Sequence, residues 1–145
     1  MSWWLSKAAE QLRKEVNTLW PKRDKKSDGA KGDDAHAARK SDHNPDPNST
    51  PPGVVRAIDI DEDLNGKDGS DPVIANRLVA QLVRLAPADG RIKYIIFEGK
   101  IWSATSQWKA RPYSGPNAHM KHIHVSFTEI GDNSSRRFGL KKEFL

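Results

Sequence analysis

Residues 122–127, His-Ile-His-Val-Ser-Phe, alternate polar and apolar side chains without a break. Strict alternation marks a strand with one face in a core. On such a strand Ile123, Val125 and Phe127 point one way, and His122, His124 and Ser126 the other. The apolar set takes the core, which leaves both histidines facing a cleft. The stretch 54–60, Val-Val-Arg-Ala-Ile-Asp-Ile, is rich in β-branched residues and reads as a second strand. Carried on to Asp61, its alternation sends Ile58 and Ile60 one way, and Ala57, Asp59 and Asp61 the other. If the two strands are neighbours, Asp59 and His124 converge, and His43 from the preceding loop supplies a third group.

Histidine and carboxylate are groups that a zinc ion takes, and three protein ligands leave a fourth position for water, the mark of a catalytic site. The chain has no cysteine, so any metal must sit on His, Asp or Glu. Taken singly, each element has a plainer explanation: a chance His-x-His, a solvated Asp, or a turn at Asp42-His43-Asn44-Pro45. Taken together, among only five histidines and with the strand phases agreeing, they point to a metal site.

The rest of the chain supplies a frame. Leu5, Ala8, Leu12, Val16 and Leu19 recur at helical spacing, which predicts an amphipathic helix over 3–19, stopped by Pro21. Residues 21–34 form a charged loop, and Asp33 or Asp34 would cap a short helix over 35–40. Residues 41–53 carry four prolines and read as loop. Asp71-Pro72 would start a second helix over 73–86 on Ile74, Leu78, Leu82 and Leu85. Ile92–Phe97 and Lys100–Ser103 flank Glu98-Gly99, a hairpin signal. Residues 108–118 read as loop, and the basic last fourteen residues as a surface segment. The expected fold class is α+β, two main helices on a small, mainly antiparallel sheet, in one domain over 1–145.

Composition sets further bounds. At 36% hydrophobic and 30% charged, the chain suits a small core with long polar loops. No apolar run reaches membrane-spanning length, and Lys7, Glu10 and Arg13 follow Met1–Leu5 too soon for a signal peptide. The net charge of +5 fits an acidic partner such as nucleic acid or an anionic cell wall. The basic residues are scattered and nucleic-acid motifs are absent, which argues against a nuclease. A monomer without stable membrane insertion is expected.

Ser41-x-His43, Gly53, Ala57-x-Asp59 and His122-x-His124 together resemble the LAS group of zinc metallopeptidases, which includes lysostaphin-type endopeptidases, D-alanyl-D-alanine metallopeptidases and hedgehog-like domains. Longer stretches, Ser41-Asp42-His43-Asn44-Pro45-Asp46 and Gly53 to Ile60 among them, are similar to peptidase domains of actinobacteriophage endolysins. His119-x-x-His122-x-His124 resembles the histidine pattern of murein endopeptidases. The resemblance implies zinc held by His43, Asp59 and His124, with His122 as base or transition-state stabiliser and His119 as an auxiliary histidine.

Two departures stand out. Asn44 to Ile58 separate the metal His from the metal Asp, more residues than the group usually has. A loop can absorb them at small entropic cost, but the spacing leaves Asp61 as a competing ligand. Lys121 stands where some branches carry an acidic base, so a histidine, or Glu129 or another acid, must serve.

The implied activity is hydrolysis of an amide in a peptidoglycan stem peptide. The protein would be made without a signal peptide in a host bacterium and act on the wall after release. A D-Ala-D-Ala carboxypeptidase of the same group, a metal-dependent nuclease and a non-catalytic wall-binding module are the alternatives. Arg39, Arg111 and Tyr113 are candidate substrate contacts, because guanidinium groups grip carboxylates in pairs of hydrogen bonds. Arg56 is expected to be an ordinary surface arginine, and Trp108 is divided between a substrate wall and the core. Asp42 and Asp61 are candidates to orient the ligand histidines.

Overall fold

A computed structural model describes residues 2–32, 41–66, 73–115 and 122–142. Among the described residues seven strands, β1 (Trp4–Leu5), β2 (Val54–Val55), β3 (Ala57–Asp61), β4 (Ile92–Phe97), β5 (Lys100–Ser103), β6 (Arg111–Pro112) and β7 (His122–Phe127), accompany two helices, α1 (Lys7–Leu19) and α2 (Val73–Asp89). Five strands form one sheet in the order β3-β7-β4-β5-β6, every pairing antiparallel, while β1 and β2 make a separate parallel pair. The fold class is α+β, as the periodicities imply.

The alternation of β7 is realised as read. Ile123, Val125 and Phe127 join Ile58 and Ile60 of β3 in the core. Ala8, Ala9, Leu12 and Val16 of α1 and Leu78, Val79 and Leu82 of α2 pack against them. Both helices therefore cover one face of the sheet. Asp59, His122 and His124 stand on the other.

Several boundaries differ from expectation, each for a local reason. The first helix begins at Lys7, not at residue 3, because Trp4 and Ser6 donate their N–H groups to Gly53 O and Val55 O and are drawn into the β1–β2 pair. The 54–60 strand is broken at Arg56. Its N–H goes to Asp42 O, and its carbonyl accepts from Phe127 N. The second helix passes Pro87 and ends at Asp89, and Gly90 at φ 80° closes it. The Glu98-Gly99 hairpin forms as read, with positive φ at both residues. Within the loop expected over 108–118, Arg111–Pro112 pair as the edge strand β6, where proline's missing N–H costs the ladder nothing. The expected 35–40 helix with its Asp33/Asp34 cap, and the Asp71-Pro72 helix start, lie outside the described residues.

Arg56 is no ordinary surface arginine. Its guanidinium makes a bidentate pair with Asp132 at 2.7 and 2.8 Å and a third bond to Asp46 at 2.7 Å. Asp46 also accepts from Gly53 N and donates to Val54 O. The proline-rich insertion is thus closed on itself at its base, and His43 stays beside the sheet.

The C-terminal residues are likewise not a free surface segment. Phe138 and Leu140 are each 6% exposed and belong to the core. The Glu15 carboxylate of α1 accepts the N–H groups of Phe138, Gly139 and Leu140 at 2.9–3.2 Å, and the Arg91 guanidinium lies 3.9 Å over the Phe138 ring. Glu15→Ala should strip three amides of their acceptor and lower unfolding free energy by about 3 kcal/mol. Urea denaturation should read this as a lower midpoint at similar slope, with Glu15→Gln losing less.

Candidate metal centre

The site starts from strand register. Asp59 and His124 are directly opposed across the β3–β7 pair, as are Asp61 and His122. On its other side Asp59 bridges Gly29 through paired main-chain hydrogen bonds, which brings the Ala30 carbonyl to the site. His43 enters from its loop, its carbonyl holding Gly32 N. Three atoms converge. His43 Nε2 lies 3.2 Å from His124 Nδ1 and 3.3 Å from Asp59 Oδ1, and His124 Nδ1 lies 3.2 Å from Asp59 Oδ1.

This triangle matches one face of a small coordination sphere. Donors at about 2.0–2.1 Å from a tetrahedral ion lie about 3.3–3.4 Å from one another. The outward nitrogens are already engaged: His43 Nδ1 with the Ala30 carbonyl, and His124 Nε2 with Ser126 Oγ at 2.7 Å. Because a carbonyl only accepts, His43 Nδ1 carries a proton. The inner face is therefore rich in acceptors and calls for a cation or a shared proton. His43, Asp59 and His124 form a group that could hold a metal ion.

Electrostatics follow the same logic. Burial opposes charge on His43, but Asp59, the Ala30 carbonyl and Asp42 outweigh it and raise its pKa above the usual value of 6.5. Burial lowers the pKa of His124, against the pull of Asp59. Asp59 is buried, which favours its neutral form, yet hydrogen bonds from His124 and His43 and nearby imidazole charge hold its pKa well below the carboxylate range. Tyr94 is pushed up to about 12, first by burial.

Other expected residues are sorted by the fold. His122 Nε2 lies 3.7 Å from Asp59 Oδ1, beside the triangle. Asp61 is not a competing ligand, nor does it orient one. It accepts from Ser27 N, Ser27 Oγ and Asp63 N and groups with Asp24 and Asp63 instead. Asp42 does not reach a ligand histidine through a hydrogen bond of its own; it pairs with Lys93 at 3.1 Å. Glu129 is exposed beyond the end of β7 remote from His122, so it is no base here. Arg111 stands on the site's face of the sheet, since Asp59, His124, Ile96, Ile101 and Arg111 form one cross-strand row. Three strand spacings, about 14 Å, separate it from β7. Tyr113 is half-buried and donates its N–H to Gly99 O. Trp108 packs partly on the core. Arg39, His119 and Lys121 lie outside the described residues.

Sequence reading missed Ala30, Ser126 and Tyr94 as orienting groups. Only Ser126 carried a signal, being two residues from His124 on the same strand face. Tyr94 stacks on His124 with centroids 5.4 Å apart and lines two cavities. One, of about 600 Å³, is lined by Ser41, Asp42, Arg56 and Lys93; the other, of about 450 Å³, by Ile92, Ile101 and Trp108. The larger cavity is thus a neighbour of the triangle, not its location. Among the described residues no helix is long and apolar enough to cross a membrane. Comparison of the chain with protein-family models, curated proteins and solved structures finds no significant match.

Metal binding must displace the proton that Asp59 helps His43 retain. Affinity for a divalent ion should therefore rise about tenfold per pH unit below His43's raised pKa and level off above it. Chelator competition over a pH series measures this, and a pH-independent affinity contradicts it.

Proposed function

We propose that this chain is a zinc-dependent peptidoglycan peptidase, similar to phage endolysins, that hydrolyses an amide of the stem peptide. One observation carries the proposal: two imidazole nitrogens and a carboxylate oxygen meet at 3.2–3.3 Å. The outer nitrogens of both rings are already hydrogen-bonded. His43, Asp59 and His124 would hold zinc, and the two histidines with one carboxylate suit that ion. When bound, zinc supplies Lewis acidity toward a carbonyl and acidifies water.

The remaining chemistry falls to the chain's own side chains. His122 sits beside Asp59, within reach of a water or carbonyl at the triangle's open side. An imidazole can take a proton from the attacking water and return it to the leaving amine. His119 is proposed as an auxiliary histidine. Arg111, on the same face of the sheet, would take a carboxylate of an extended peptide, with Tyr113 next to it and Arg39 as a further contact. The net charge of +5 favours approach to an anionic wall. The protein would act there after release from the cytoplasm of a host bacterium.

Two variants separate ligand from base. His124→Ala should lose both metal and activity, whereas His122→Ala should keep the metal and lose about 10²–10⁴-fold in turnover. Mass spectrometry of digested muropeptides should show a new free amine with the wild type and none after chelation, restored by zinc. Digestion that persists after exhaustive chelation, or zinc-dependent cleavage of DNA in place of peptidoglycan, would overturn the proposal.

A further inference from the structure

β3 is an end strand of the five-stranded sheet, so one side of its main chain needs partners from outside the sheet. Residues 24–29 of the charged loop supply them. Asp59 exchanges two main-chain hydrogen bonds with Gly29, at 2.8 and 3.2 Å. Asp61 N donates to Asp28 Oδ1 at 2.7 Å, and Asp24 N donates to Asp63 O at 3.0 Å. Ser27 gives both its N–H and its hydroxyl to Asp61 Oδ2.

The residues that follow hold His43. Its ring Nδ1 donates to the Ala30 carbonyl, and Gly32 N donates to the His43 carbonyl at 2.9 Å. Asp59 and His43 therefore hang from one four-residue segment, 29–32. His43 lies on a loop and shares no sheet register with Asp59. The segment is a short connection between two side chains that meet at 3.3 Å.

The segment is itself locked to α1. Arg23 is 5% exposed, so its charge is buried and needs close partners. Its Nη1 and Nη2 donate to Asp28 Oδ1 and Oδ2 at 2.9 and 2.6 Å, and its Nε donates to Asn17 Oδ1 at 2.8 Å. A bidentate guanidinium–carboxylate pair fixes orientation as well as distance. Asp28 immediately precedes the segment, and its Oδ1 serves both Arg23 and Asp61 N. Helix α1, the loop and the edge of β3 thus meet on one carboxylate.

We propose that Arg23 and Asp28 are positioning residues that, through segment 29–32, set His43 against Asp59 in the arrangement a metal requires. This rests on the metal reading of the site. Loss of outer partners typically lowers metal affinity about 10–100-fold.

Amide hydrogen exchange in metal-free protein, paired with Zn²⁺ titration against a chelator, tests it. Removing Asp28 alone would leave a buried charge unpaired and endanger folding. The main variant is therefore Arg23→Met with Asp28→Ala, and Asn17→Ala is a milder one that frees only the helix end of the clamp. In the folded double variant the Gly29, Gly32 and Asp59 amides should exchange about 10–100-fold faster, the scale of one lost charge-assisted bond. Zn²⁺ binding should weaken about 10–100-fold. Asn17→Ala should shift both readouts the same way by less. Glu15→Ala, which loosens the C-terminal segment instead, should leave both at wild-type values and so controls for a general loss of stability. Wild-type zinc affinity in the folded double variant, or an equal loss in Glu15→Ala, overturns the proposal and leaves the metal site intact. A wild type that takes up no zinc overturns the metal reading instead, and the three amides alone then decide whether the clamp holds the segment.

Discussion

The register between β3 and β7 is the constraint from which the rest of the site follows. A strand has period two, so a slip of one residue would exchange its faces. Here the core residues Ile58, Ile60, Ile123, Val125 and Phe127 are nearly free of solvent. Turning them outward would forfeit about 1.5–3 kcal/mol for each large side chain. That cost, summed over two strands, holds Asp59 opposite His124. The polar pair is aligned by the apolar residues on the face it does not occupy.

His43 is placed differently, by main-chain and ionic ties. The Arg56 N–H holds Asp42 O, its guanidinium joins Asp46 to Asp132, and Asp46 closes the base of the proline-rich loop. A half-buried arginine with three carboxylate bonds is a stronger tie than an exposed ion pair, which contributes at most about 1 kcal/mol. The extra residues between His43 and Asp59 can then loop outward without moving either side chain.

Around the triangle the electrostatics are arranged for a cation. Asp59 stays ionised despite burial because two histidines bond to it, and His43 keeps a raised pKa because of Asp59. Burial lowers the pKa of His124, the most enclosed of the three. Such a set could hold one proton or one metal ion at its centre, with His122 beside it. The proposed zinc chemistry draws on that arrangement.

The sequence by itself determined the strand faces, the two helices, the Glu98-Gly99 hairpin and the three side chains that converge. These are legible because hydrophobic periodicity and turn chemistry are local. Only the tertiary structure decided that Asp61 turns to Ser27 and Asp63, that Arg56 is a tie and not a surface charge, and that Glu15 captures the amides of Phe138, Gly139 and Leu140. It alone placed the Ala30 carbonyl behind His43 and the Tyr94 ring against His124. A side chain with several possible partners takes the one that folding brings within about 3 Å, and that proximity is set by distant parts of the chain.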